Sequence, residues 1–301
     1  MRRRQFLQVA SAVTAASSLP AVARESFQRS GNHRFQIGLA AYSLRNYFSF
    51  SRGKTQTPAA DGKPLDMYRF IDYCVDHELG AAELTSYFFD PEIKDETFLD
   101  LKRYAFVRGI EISGTAIGNN FTVGSGPKLD EEIQKAMHWI DRASLLGAPH
   151  IRFFAGTGKQ LEQDPKRMDE ACDAINRCAE HAAKRGVFIG IENHGNLTSN
   201  QMLEIMDRVD SPWVGINLDT GNFWTEDPYG DLEKCAPFAV NVQVKVTMKK
   251  SNGQHYPADL NRVAAILKRA TYQGYVILEY EDESPYQNIP AKLAELKAAL
   301  A

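Results

Sequence analysis

The chain has 301 residues, 44% hydrophobic and 24% charged, with a formal net charge of -3. This is an ordinary globular composition, enough for one large α/β domain or two small ones. There is no basic excess to neutralise a phosphate backbone, which argues against a nucleic-acid partner, and no run approaches the roughly 18 consecutive apolar residues of a membrane span.

The N-terminus begins Met1-Arg2-Arg3-Arg4-Gln5-Phe6-Leu7, continues through a mild Ala/Val/Ser/Thr stretch and reaches Ala21-Val22-Ala23. A charged start, a short apolar middle and a small-x-small end are the parts of a bacterial export signal. Arg3-Arg4-Gln5-Phe6-Leu7 is similar to the twin-arginine type. The expectation is a signal over 1–23, cleaved after Ala23, on a periplasmic or otherwise exported protein; the alternative is a basic, disordered tail. Residues 24–34 read as a polar linker, and 35–301 as the folded domain.

From there strand-like and helix-like segments alternate. Strands are expected at Phe35–Ala41, Ala81–Phe88, Ile110–Ile117, Pro149–Phe154, Val187–Glu192, Val214–Asp219, Val240–Val246 and Tyr275–Tyr280. Helices are expected at Leu65–Leu79, Pro91–Arg108, Leu129–Leu146, Pro165–Arg185, Ser199–Val209 with Ser199 as its cap, Gly230–Phe238, Leu260–Arg269 and Ile289–Leu300. Gly80, Gly109, Gly147 and Gly186 stand where helical periodicity stops. Strands rich in Val, Ile and Phe suit a sheet covered on both faces. The predicted fold is α/β: a (β/α)8 TIM barrel in a single domain, since about 265 residues remain after the signal, close to the roughly 250 of that architecture. A doubly wound open sheet would usually carry a Gly-rich phosphate turn after strand one, where this chain has Ala40-Ala41-Tyr42-Ser43-Leu44. Cys74, Cys172, Cys178 and Cys235 lack zinc spacing and read as buried small hydrophobes.

Chemistry-bearing residues stand where the last four apolar strands run out: Glu192, Asp219, Gln243 and Glu279. Burying carboxylates in such runs is costly unless they are paired or hold a cation. Three carboxylates around one point repel, and a divalent cation removes the conflict. An oxygen-rich donor set favours Mn2+, with Mg2+ or Co2+ as alternatives, over sulfur-bound zinc. Residues two apart in a strand share a face, which couples Glu192 with His194, Gln243 with Lys245 and Glu279 with Glu281. His194, Lys245, Glu83 at the end of strand two and His255 after strand seven are therefore candidate substrate contacts. Phe154, Phe223 and Trp224 are candidate walls for a sugar ring. His33, His77, His138, His150 and His181 read as structural or solvated.

Glu192 to Ser199 (ENHGNLTS), Ile216 to Trp224 (INLDTGNFW), Val242 to Lys245 (VQVK) and the ILEYE ending at Glu281 resemble the sugar phosphate isomerase/epimerase superfamily, the xylose isomerase-like TIM barrels. The resemblance implies metal ligands at Glu192, Asp219, Gln243 and Glu279, with Glu192 and Glu279 also transferring protons. Many members have His where this chain has Gln243, a departure that bears on the metal. The implied function is a metal-dependent sugar isomerase or epimerase abstracting a proton next to a carbonyl. Export favours an unphosphorylated sugar or keto-sugar as substrate. The alternatives are a lyase or hydratase of 3-keto-glycosides and a non-catalytic sugar-binding barrel. The expected partner is a small carbohydrate, and the chain is compatible with a homo-oligomer.

Overall fold

A computed structural model describes residues 24–301; the expected export signal lies outside the described residues. Eight parallel strands close into a barrel: β1 (Arg34–Ala40), β2 (Ala81–Glu83), β3 (Glu111–Ala116), β4 (His150–Phe153), β5 (Phe188–Glu192), β6 (Val214–Asp219), β7 (Ala239–Val244) and β8 (Gln273–Leu278). Each strand pairs with its sequence neighbours, and β1 closes on β8. The helices are α1 (Met67–Asp76), α2 (Asp95–Phe106), α3 (Pro127–Leu146), α4 (Gly158–Gln163), α5 (Lys166–Arg185), α6 (Ser199–Arg208), α7 (Pro228–Cys235), α8 (Leu260–Arg269) and α9 (Pro285–Leu300). The main apolar core lies between the strands and these helices, and includes all four cysteines, each buried and unbridged.

The sequence pattern anticipates β6 and α8 to the residue and most other bounds to within a few residues. Three departures have local causes. The expected strand Ala81–Phe88 ends at Glu83, where the pairing with β3 slips a residue, and Ser86–Phe88 turns into a 3-10 helix. The cap of α6 is Thr198, not Ser199: Thr198 and Gln201 form a reciprocal capping box, while the Ser199 hydroxyl donates to Asp231 at 2.5 Å. After α1 the left-handed residue is Glu78, with φ of 53°, rather than Gly80. Gly147 and Gly186 do terminate α3 and α5 with φ of 71° and 68°.

Residues 24–33 do not hang free. The Arg24 guanidinium donates to the Val214 carbonyl at 2.6 Å and that of Arg29 to the Ala239 carbonyl at 2.5 Å. Phe27 meets the Phe188 ring edge-on at 6.4 Å. Val214, Ala239 and Phe188 each begin a strand, so this segment crosses the N-terminal floor of the barrel.

The barrel interior is polar. Ala40, Ala81 and Ile277 form a small apolar cluster apart from the main core, and His150, Asn217 and Asn241 are buried polar residues of the inner strands. A β-carbon at Gly114 or Gly190 would run into the His150 ring, so these glycines on the two flanking strands make room for it. Burial, with the Arg152 charge added, pushes the His150 pKa down from 6.5 to about 3. The unfolded chain takes up this proton as pH falls below 6.5, while the folded chain does not. Stability contributed by neutral His150 is thus present above pH 6.5 and lost as pH falls toward 3, at up to about 1.4 kcal/mol per pH unit. Urea unfolding from pH 7 to 4 should show a shallower acid loss for His150→Asn than for the wild type. Parallel curves would contradict this.

Candidate active site

Parallel strands place all their C-terminal ends at one mouth. Glu83, Glu192 and Asp219 are the last residues of β2, β5 and β6; Gln243 is the penultimate residue of β7, and Glu279 directly follows β8. Across the sheet, Glu192 stands beside Asn217 and Asp219 beside Gln243. All five are at most 5% exposed.

Two buried cations hold the carboxylates apart. Arg152, from β4, brings Nε to 2.8 Å from Glu192 Oε2, and Asn222 Nδ2 donates to Glu192 Oε1 at 2.8 Å. Lys245 Nζ lies 2.8 Å from Glu279 Oε2, 2.5 Å from Glu281 Oε2 and 3.4 Å from Asp219 Oδ2. The Asp219-Thr220-Gly221-Asn222 run builds this arrangement. Asn193 clasps the Asp219 backbone, donating to its carbonyl and accepting from its N–H, both at 2.8 Å. Gly221 N–H donates to Asp219 Oδ1 at 2.8 Å, and the Thr220 hydroxyl accepts from Lys245 N–H at 3.0 Å. A β-carbon at Gly221 would come within 2.8 Å of the Lys245 stem. Glycine therefore lets the lysine reach the carboxylates.

The electrostatics follow from this pairing. Burial raises the Glu83 pKa to about 8, and the Glu279 charge adds to the rise. Burial raises Glu192 to about 7 against the pull of Arg152. Asp219 is driven well above its ordinary range, again by burial first, with Lys245 opposing. For Glu279 burial also pushes upward, but the Lys245 charge and hydrogen bond outweigh it and hold Glu279 below the usual range.

Glu192, Asp219 and Glu279 suit a divalent cation in donor chemistry. They are hard oxygen ligands with more negative charge than two cations balance, and Asp219 Oδ2 accepts no hydrogen bond. Among the described residues no three His, Cys, Asp or Glu side chains already converge as a metal site; the Lys245 ammonium lies between Asp219 and Glu279. For these carboxylates to share an ion, Lys245 would have to give up Asp219 and Glu279, and Glu281 is the partner left to it. Gln243 is turned away: its Oε1 accepts from Asn217 Nδ2 at 2.7 Å, and its Nε2 donates to Glu83 at 3.1 Å. Below it, Asn241 Nδ2 donates to Asn217 Oδ1 at 2.7 Å, leaving Asn241 Oδ1 unpartnered. Exchanging the amide ends along this relay would turn the Gln243 oxygen upward and give Asn241 Oδ1 a donor. A protonated Glu83 would then donate to Gln243.

The other expected contacts divide. Lys245 and Glu83 join the centre. His194 is exposed at the rim, stacked on Phe154 at 4.3 Å, and Phe154 takes the Arg152 guanidinium at 4.1 Å on its ring. His255 is exposed on a hairpin of Thr247–Lys249 with His255–Pro257, and none of the centre's hydrogen bonds or ion pairs involves it. Phe223 is fully buried in the core and cannot wall a ligand; Trp224 is 41% exposed, with Lys249 Nζ 3.7 Å from its ring centroid. Sequence reasoning missed Arg152, Asn193, Asn217 and Asn222. Arg152 carried a signal, since it is a charge inside the apolar run His150-Ile151-Arg152-Phe153-Phe154.

The chain belongs to the xylose isomerase-like TIM barrel family, whose model matches residues 71–300. It is 23% identical over 136 residues to a 3-dehydroshikimate dehydratase of Bacillus anthracis, a match covering 44% of this chain and 49% of the relative. This chain thus spans about half the length of that relative. Its fold matches D-psicose 3-epimerase from Clostridium cellulolyticum H10 with a TM-score of 0.68 at 14% identity, covering 88% of this chain and 99% of the epimerase. A xylose isomerase-like TIM barrel protein from Mycobacterium smegmatis, solved in complex with magnesium, gives a TM-score of 0.63 at 17% identity, covering 88% and 98% of the two chains.

Removing Arg152 leaves Glu192 buried without its cation. Arg152→Met should lower unfolding free energy at pH 8 by about 3–5 kcal/mol, the cost of breaking a buried pair from one side. The double variant Arg152→Met/Glu192→Gln should recover most of that loss. Equal destabilisation of single and double variants in denaturant titrations would show that the pairing is not what stabilises this region.

Proposed function

We propose that the protein is a divalent-metal-dependent isomerase or epimerase of an unphosphorylated sugar or keto-sugar, working by proton abstraction next to a carbonyl. The observation that carries this reading is the pair Glu192 and Glu279. These are two buried carboxylates, each oriented by its own cation, on β5 and just beyond β8 at one barrel mouth. Such a pair can address a substrate carbon from two directions.

Glu192, Asp219 and Glu279 would hold the cation, with Gln243 as a fourth oxygen donor once its amide is turned; Mn2+ suits this set best, then Mg2+ or Co2+. When bound, the cation would polarise the substrate carbonyl and acidify the neighbouring C–H. Glu279, which would stay ionised beside the bound cation after Lys245 shifts to Glu281, would take the proton, with Glu192 as the second carboxylate of the pair. Return of the proton to the opposite face gives epimerisation; return to the adjacent carbon gives isomerisation. Lys245 offers positive charge to a developing oxyanion. In this reading Glu83 and His194 hydrogen-bond substrate hydroxyls, and the stacking of His194 on Phe154 supports the latter role.

The dehydratase among the relatives favours a second reading, in which the same abstraction expels a β-substituent, as in a lyase or hydratase of 3-keto-glycosides. A non-catalytic sugar-binding barrel would not need two oriented carboxylates. The N-terminal sequence supports an exported, periplasmic enzyme, and phosphorylated sugars are largely cytoplasmic.

Proton NMR of keto-sugars in D2O separates the readings. Deuterium at an inverted or isomerised carbon is expected, whereas release of water or aglycone identifies the lyase. Glu279→Gln should slow turnover by about 10²–10⁴-fold, and full activity in that variant would remove the base from this scheme. Chelation followed by dialysis should abolish turnover, with Mn2+ restoring it. Undiminished activity of protein shown metal-free by elemental analysis would refute the metal requirement.

A further inference from the structure

Near the carboxylate centre lies a cavity of about 480 Å³, between the loops after β2 and β3 and one face of α3. Its wall is continuous with the centre. Tyr87 lines the cavity, and its hydroxyl accepts from Arg152 Nη1 at 3.3 Å. Asn119, another lining residue, is bonded in both directions to the Phe154 backbone, at 2.7 and 2.9 Å. A ligand held at the centre could extend into this space without crossing the barrel.

The lining carries unbalanced positive charge. Lys135, Trp139 and Arg142 project from α3 at helical spacing, and Arg52 enters from the opposite loop. Glu132 is the one carboxylate in the lining, and it is engaged, with Lys135 at 3.3 Å and the Asn120 N–H at 2.9 Å. Arg142 is only 8% exposed, and its Nε has no hydrogen-bond partner. Its one hydrogen bond among the described residues runs from Nη2 to the Ile93 carbonyl at 3.4 Å, and there it forms no salt bridge. Its guanidinium instead lies over Trp139, at 4.9 Å, and Phe98, at 5.3 Å. Arg52 likewise has no carboxylate partner there and lies over Tyr87 at 4.4 Å. A buried guanidinium with a single long hydrogen bond is costly unless a group in the cavity it lines completes it.

We propose that this cavity is a substrate subsite for a carboxylate-bearing ring, held by Arg142 and Arg52 and walled by Trp139 and Tyr87. Guanidinium forks match the planar carboxylate, and the aromatic faces match the apolar face of a sugar or aromatic ring. The volume suits one such ring. This rests on the reading of the adjoining centre as a carbohydrate site. It narrows the substrate to a carbohydrate carrying an acidic ring, such as a uronic acid residue, next to the reacting sugar.

Calorimetric titration of the full chain with D-glucuronate, D-glucose and inorganic phosphate tests it without turnover. Glucuronate should bind at least about tenfold more tightly than glucose, as expected for one charge-assisted contact of about 1.4 kcal/mol or more. Arg142→Met and Arg52→Ala should each erase that preference, while Glu279→Gln should keep it. Arg52 is on an exposed loop, so its variant carries the test if Arg142→Met fails to fold. Equal binding of glucose and glucuronate, or an unchanged preference in Arg52→Ala and in folded Arg142→Met, overturns the subsite. Phosphate binding more tightly than glucuronate overturns the carboxylate assignment. Loss of proton exchange alone, with the glucuronate preference intact, would instead count against the proposed reaction.

Discussion

The centre depends on the Lys245 ammonium. It sits between Glu279 and Glu281 and within 3.4 Å of Asp219, so one cation organises carboxylates from β6 and from the segment after β8. Burial pushes every one of the inner carboxyls toward its neutral form; Lys245 keeps Glu279 ionised against that pressure. Arg152 does the same service less completely for Glu192. The two carboxylates thereby differ in environment, although they lie at equivalent ends of barrel strands. A divalent ion would enter this charge balance as a third cation and would redistribute Lys245 toward Glu281.

The polar barrel interior supports the mouth. From Asn241 through Asn217 to Gln243 and Glu83, side-chain amides pass hydrogen bonds upward through the lumen. Each amide presents a donor at one end and an acceptor at the other, so the sense of the whole relay fixes which atom Gln243 offers to the centre. Gln243 and the asparagines beneath it therefore form one hydrogen-bonded unit.

The barrel was legible because each strand is short, apolar and punctuated by Gly or Pro, and because strand ends carried the isolated charges. Glu192, Asp219, Gln243 and Glu279 could be placed at one mouth from alternation alone. What alternation could not supply was pairing. Arg152 and Lys245 look alike in sequence as single cations in apolar strands, yet one fixes Glu192 and the other bridges three acids. His255 was placed near the rim by its position after β7, but the local antiparallel hairpin takes it into solvent. Arg142 and Trp139 lay on an ordinary amphipathic helix, and only the packing of α3 beside the β3 loop reveals the cavity they line.

The segment from Arg24 to Arg29 has a further consequence. It is fastened to the first residues of β6 and β7, at the pole opposite the carboxylates. The described chain therefore begins at the underside of the barrel, at the end remote from the carboxylate mouth. A tag or tether joined at that point would leave the opening at the other pole unobstructed.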